Sequence, residues 1–137
     1  MIKKLLFAVC IIANCLLPTA NSFSQGTWTL KAPIPYYPGF MSAVAFSIGT
    51  KGYLGTGNTN FGYTDVFFEY DQPANSWTQK ANYPGGTRRF ACGFSIGNKG
   101  YVGTGQDDIT YAFHNDFWEY DPATNTWTQK ANVGGPP

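Results

Sequence analysis

The side chains of this chain best suited to chemistry stand close together between positions 88 and 114: Arg88, Arg89, Asp107, Asp108, Tyr111 and His114. Guanidinium groups fork onto carboxylates through paired hydrogen bonds, and a tyrosine ring offers a flat apolar surface. The set therefore suits the holding of a glycan or a peptide. Asp107 and Asp108 also raise hydrolysis and cation binding. Glycoside hydrolysis needs two carboxyls about 5 to 9.5 Å apart around a sugar, and adjacency in sequence does not supply facing geometry. His114 is the single histidine, so no histidine-based metal cluster is available. No Ser-His-Asp constellation is assigned, and no cofactor is called for. The bland reading of the same six residues is a set of solvated loop side chains, with one arginine tied into the framework by hydrogen bonds.

What must position these residues is a repeat. FFEYDQPANSWTQKAN at 67–82 returns as FWEYDPATNTWTQKAN at 117–132, identical at 11 of 16 positions. FSIGTKGYLGTG at 46–57 returns as FSIGNKGYVGTG at 94–105, identical at 10 of 12. A third copy of the end of the unit, TWTLKA, stands at 27–32, so Trp28, Trp77 and Trp127 are spaced by 49 and 50 residues. A period near fifty describes a building unit.

Within each period, β-branched and aromatic residues alternate over short runs between Gly, Pro and Asn clusters, and no stretch after the leader sustains a helical period. Four strands are expected per unit: AVAFSI, KGYLGTG, VFFEYD and SWTQKA, then ACGFSI, KGYVGTG, DFWEYD and TWTQKA. Gly-Thr-Lys-Gly and Gly-Asn-Lys-Gly suit tight hairpins, and Asp121-Pro122, like Asp71 with Pro73, suits a turn before the outer strand. In the first strand Val44, Phe46 and Ile48 share one face while Ala45 and Ser47 share the other. In the second unit Cys92, Phe94 and Ile96 oppose Ala91, Gly93 and Ser95. A bulky face opposite a small face suits sheets stacked on copies of themselves, and it makes Cys92 a buried, inert thiol.

Composition narrows the classes. Nine basic against eight acidic side chains give a formal charge of +1, which supports neither nucleic-acid nor anionic-membrane binding. Lys3 and Lys4 precede an apolar run from Leu5 to Leu17 and then small polar residues, the layout of a signal peptide over 1–24. That run is short against the roughly 20 residues that cross a bilayer, so no span is expected after cleavage. Asn14 before Cys15 makes lipid anchoring a minor option. The expected destination is extracellular or the cell surface, with the periplasm as the alternative. Cys10 and Cys15 leave with the leader, and Cys92 alone cannot form an internal disulfide.

The Tyr-hydrophobic-x-x-Gly second strands (Tyr53 to Gly57, Tyr101 to Gly105), the Tyr-Asp pairs (Tyr70-Asp71, Tyr120-Asp121) and the tryptophans six residues after each aspartate (Trp77, Trp127) resemble the kelch repeat. The usual Gly-Gly pair appears as Thr56-Gly57 and Thr104-Gly105, and the arginine common before the first strand is matched only by Arg88 or Arg89. The resemblance implies an all-β protein of kelch-type β-propeller blades: two four-stranded antiparallel blades plus an orphan N-terminal outer strand, an incomplete propeller. The expected division is a leader over 1–24, the orphan strand and linker over 25–41, blade 1 over 42–81, blade 2 over 82–131 and the start of a third repeat over 132–137. Two blades do not close a ring, so a piece of a longer chain or an assembly of chains is expected, with self-association through uncovered faces.

Strands running up, down, up and down place the loop between strands two and three on the same side as the linker between blades. These are the segments where the copies differ most, and variable loops on a repeated framework are where recognition resides. Glu69/Asp71 and Glu119/Asp121 obey the repeat and read as turn acceptors or partners of Lys80 and Lys130, since catalytic residues would break a repeat. The expectation is a secreted, non-catalytic binding scaffold for a protein or carbohydrate. The alternative is part of a propeller enzyme, galactose-oxidase-like or glycan-processing, with its catalytic residues outside this chain. Similarity to galactose oxidase would imply two histidines and a cysteine crosslinked to tyrosine, which one histidine does not meet.

Overall fold

The computed structural model of the chain describes residues 26–36 and 39–134. The expected leader over 1–24 lies outside the described residues. Among those described there is no helix, and none therefore long and apolar enough to cross a membrane.

Strands β1 (Val44–Ile48), β2 (Lys51–Gly55), β5 (Phe67–Asp71) and β6 (Ser76–Gln79) form one antiparallel sheet in the order β1-β2-β5-β6. Strands β7 (Cys92–Ile96), β8 (Lys99–Gly103), β9 (Phe117–Asp121) and β10 (Thr126–Lys130) repeat that order in a second sheet. Between β2 and β5 a small ribbon pairs β3 (Asn58–Thr59) with β4 (Gly62–Tyr63). Every first hairpin turns on a glycine, Gly49 at φ 57° and Gly97 at φ 58°, in the left-handed region that a two-residue turn requires at its first central position. The β5–β6 and β9–β10 turns put Asn75 and Asn125 in the same region, which asparagine tolerates.

The acidic pairs do framework work. Lys51 and Lys99 pair with Asp71 and Asp121, whose other carboxylate oxygens accept the turn N–H groups of Ala74 and Ala123. The Tyr53 hydroxyl donates to Glu69 at 2.7 Å and that of Tyr101 to Glu119 at 2.8 Å. Lys80 and Lys130 approach the same two glutamates at 3.6 and 3.1 Å.

The two sheets stack bulky face on small face. A Cβ placed on Gly93 would overlap Cγ2 of Val44, and one on Gly100 would overlap the Phe46 ring. Glycine at these positions lets β1 approach the backbone of β7 and β8. Two buried clusters follow, Val44, Tyr83 and Val102 in one and Tyr53, Phe67 and Tyr120 in the other, with Phe46 and Trp127 packed against both. Phe46, Tyr53 and Phe67 form a ladder of near-parallel rings, reproduced by Phe94, Tyr101 and Phe117. Trp127 caps the first ladder edge-on, 5.0 Å from Phe67.

A clasp joins consecutive units. Asn125 Oδ1 accepts the N–H of Ala81 while the indole N–H of Trp127 donates to its carbonyl, both at 2.9 Å. Asn75 and Trp77 hold Ala32 in the same way, again at 2.9 Å. Trp28 and Leu30, just before Ala32, are fully exposed.

Cys92 departs from the expectation of a buried thiol. It does take the place of Val44 on the bulky face, but no further blade packs on that face among the described residues, and it is exposed. With Phe94, Gly103, Thr104, Phe117 and Val133 it lines a cavity of about 240 Å³.

Candidate functional site

The linkers and the β2–β5 and β8–β9 loops do gather on one side. Met41 bridges Asn58, Arg89 bridges Gln106, and Gln106 bridges Phe113. The N–H of Phe90 reaches the carbonyl of Ser42 at 3.1 Å and that of Gly57 reaches the carbonyl of Arg88 at 2.6 Å, so the second linker threads between the loops of both blades. All six candidate residues lie in this layer, but they do different work.

Arg88 is corrected as a ligand-binding candidate: it is 1% exposed and serves as an internal clamp. Its Nη1 donates to the Thr104 carbonyl at 2.9 Å and to Asp116 at 2.6 Å, its Nη2 donates to the Gly85 carbonyl, and its guanidinium lies 4.8 Å from the centre of the Tyr83 ring. Trp118 donates its indole N–H to the other oxygen of Asp116 at 2.7 Å. Burial pushes the Tyr83 hydroxyl well above the usual tyrosine range, against the opposing charge of Arg88. In blade 1 the matching places hold Phe40, Val66 and Phe68, since Met41 pairs with Asn58 as Arg89 does with Gln106, and Thr56 donates to Val66 as Thr104 does to Asp116. Phe40 there packs on Tyr36 and Phe68, with ring centres 5.1 and 6.3 Å away. An ion pair thus stands in one blade where aromatic packing stands in the other.

Asp107 organises its own loop. It accepts from the backbone N–H groups of Ile109 and Thr110 at 2.9 and 2.7 Å, from the Thr110 hydroxyl at 2.7 Å, and it meets His114 Nε2 at 3.1 Å. These bonds, the Thr110 N–H foremost, hold its carboxyl well below the usual aspartate range. Asp108 accepts from the Thr87 hydroxyl at 2.9 Å, so the adjacent carboxylates serve separate local bonds. Among the described residues no group of His, Cys, Asp and Glu side chains is placed to hold a metal ion.

Tyr111 is exposed and Arg89 is half-buried. The Arg89 guanidinium lies 4.8 Å from the centre of the Tyr63 ring and 4.9 Å from that of Phe90, and its Nε and Nη2 both donate to Gln106 Oε1, at 3.2 and 3.0 Å. Gln106 in turn donates through Nε2 to the Tyr111 carbonyl at 2.9 Å. Phe90 at φ 59° and Tyr111 at φ 56° occupy the left-handed region, unusual for aromatic residues. Phe61, Ile109, Tyr111 and Phe113 are 83%, 85%, 61% and 59% exposed. Gln106, Tyr63, Phe61 and Phe90 were not among the sequence candidates. The signal for Gln106 was the alignment of the two units, where Met41 matches Arg89 and Asn58 matches Gln106.

Residues 93–97, GFSIG, spell G-x-S-x-G, a pattern not counted among the candidates above. A nucleophile elbow needs that serine on a sharp strand-to-helix turn. Ser95 instead lies within β7, opposite Gly100 of β8, and is not an elbow serine.

Two stacked four-stranded antiparallel sheets of identical strand order define a segment of a β-propeller. Residues 88–134 match the kelch motif, and the first blade reproduces the order and register of the second. The solved structure of YjhT is similar over 74% of this chain, with a TM-score of 0.58 and 25% identity. The chain spans 29% of that structure's length. No curated protein matches it.

Proposed function

We propose that this chain is part of a secreted, non-catalytic binding scaffold whose linker-and-loop face receives a protein or carbohydrate. The observation that carries the reading is the concentration of exposed apolar side chains, Phe61, Ile109, Tyr111 and Phe113, on the segments where the repeats differ. Solvated connections have no need of such side chains. The same loops are held from within by Asp107, Gln106 and Arg88, which lowers the ordering cost of binding. A leader over 1–24 and self-association through the Phe94 face belong to the same proposal; N-terminal sequencing of the secreted protein and light scattering address them.

A peptide and glycan array probed with the 137-residue chain and with its Tyr111→Ala variant tests the reading. Signals that fall at least about tenfold in the variant are expected, the effect of removing one aromatic anchor. Array signals unchanged by the substitution, or none at all, overturn it.

A further inference from the structure

We infer that Arg89 is the anion receptor of this face, and that the face takes an apolar protein segment carrying one carboxylate. The inference rests on the binding reading above and narrows it. Among the described residues Arg89 makes no ion pair, whereas Arg88, its neighbour, is neutralised by Asp116. Its guanidinium is not loose. Tyr63 and Phe90 flank it, and Gln106 Oε1 holds the Nε and Nη2 edge, leaving Nη1 without a hydrogen bond among the described residues. A guanidinium oriented in advance and lacking a counter-ion is arranged to receive a carboxylate at low ordering cost.

The fold does not require this arginine. Met41 holds the same place in blade 1, in the same bridge geometry, with Asn58 opposite it. A residue that breaks the repeat and, beyond its bonds to Gln106, keeps one guanidinium nitrogen unbonded among the described residues points to an external partner.

The hydrogen-bond inventory selects a protein segment over a sugar. A glycan needs many donors and acceptors for its hydroxyls, but the polar groups nearby already serve the loops. Asp107 is occupied by Ile109, Thr110 and His114, one oxygen of Asp108 by Thr87, and Gln106 by Arg89 and Tyr111. What the face offers is one cationic edge among Phe61, Phe90, Ile109, Tyr111, Phe113 and Met41, all exposed. That chemistry matches a segment of aromatic and aliphatic residues interrupted by a single Asp or Glu.

The test is an array of hexapeptides of Leu and Phe with one Glu at each position in turn, and the same array with Gln in place of Glu. It is probed with the full chain, with Arg89→Met, which copies blade 1, and with Tyr111→Ala. The expected result is that some Glu peptides bind at least about tenfold more strongly than their Gln partners, the worth of one charge-assisted hydrogen bond. Arg89→Met should abolish that preference, and Tyr111→Ala should weaken both members of a pair alike. Equal binding of Glu and Gln peptides, or a preference that survives Arg89→Met, overturns the inference while leaving the face a binding surface. Glycan signals lost in Tyr111→Ala but indifferent to Arg89→Met would do the same. Absence of every Tyr111-dependent signal removes both readings.

Discussion

The indole N–H of Trp127 donates to the carbonyl of Ala81 at 2.9 Å, joining residues 46 positions apart. The same ring caps Phe67 at 5.0 Å and Tyr83 at 5.4 Å, so one side chain both closes the clasp and seals the inter-blade core. Trp127→Phe keeps most of the packing and loses the donor, with an expected cost of about 1 kcal/mol. Trp127→Ala also opens a cavity, with an expected cost of about 3 to 5 kcal/mol. Equilibrium urea unfolding of the two variants separates the contributions.

Gly52 and Gly100 hold the same place in the repeat but meet different surroundings. A Cβ on Gly52 would find only the Tyr70 Cβ, at an ordinary 3.8 Å, whereas one on Gly100 would overlap the Phe46 ring. Gly52→Ala is therefore expected to be tolerated within about 0.5 kcal/mol. Gly100→Ala should cost about 1 to 3 kcal/mol as Phe46 is displaced. Equal midpoints for the two variants in urea would contradict this account of blade stacking.

Removing Arg88 leaves the partly buried Asp116 beside Trp118 without its cation. Arg88→Ala should cost about 3 to 5 kcal/mol, the usual penalty for breaking a buried pair. The triple variant Arg88→Phe, Asp116→Val, Trp118→Phe installs the apolar set of blade 1 and should recover most of that loss. A triple variant less stable than Arg88→Ala, measured by thermal unfolding, would count against it.

Burial, with the charges of Glu69 and Asp121 adding to it, pushes the Tyr120 hydroxyl up to about 12. The folded state therefore holds this proton more tightly than the unfolded chain, whose tyrosines titrate near about 10. Stability from this group is intact below about pH 10 and is lost as the pH rises toward about 12. Alkaline denaturation followed by tyrosinate absorbance should show Tyr120 ionising with unfolding, and Tyr120→Phe should move the transition to higher pH. An unchanged midpoint would contradict the assignment.

Cys92, exposed beside Phe94, should react with a thiol reagent at a rate close to that in denaturant when the native chain is dilute, and should become protected as rising concentration drives association through the Phe94 face. Strong protection would mean that another surface covers the Phe94 face in solution, most simply a second copy, and light scattering would then show it.

The period of fifty, the eight blade strands, the glycine and asparagine turns and the bulky-on-small stacking were legible in the sequence. Each is local alternation or a turn preference, and the duplicated sentence states it twice. The pairing of Lys80 and Lys130 with the repeated glutamates was legible for the same reason.

Tertiary structure alone decided the fates of Arg88, Arg89 and Cys92. Adjacent arginines are alike in composition, but successive residues of an extended linker point to opposite sides. Arg88 thus enters the blade to meet Asp116, 28 positions away, while Arg89 lies half-buried between Tyr63 and Phe90. Cys92 follows the alternation of Val44 but has no sheet above it among the described residues, because burial depends on what covers a face as well as on which face a side chain takes. Periodicity in the sequence determined the strands and their faces. Which side chains were left over for a partner depended on contacts across tens of residues, and only the folded chain brings those together.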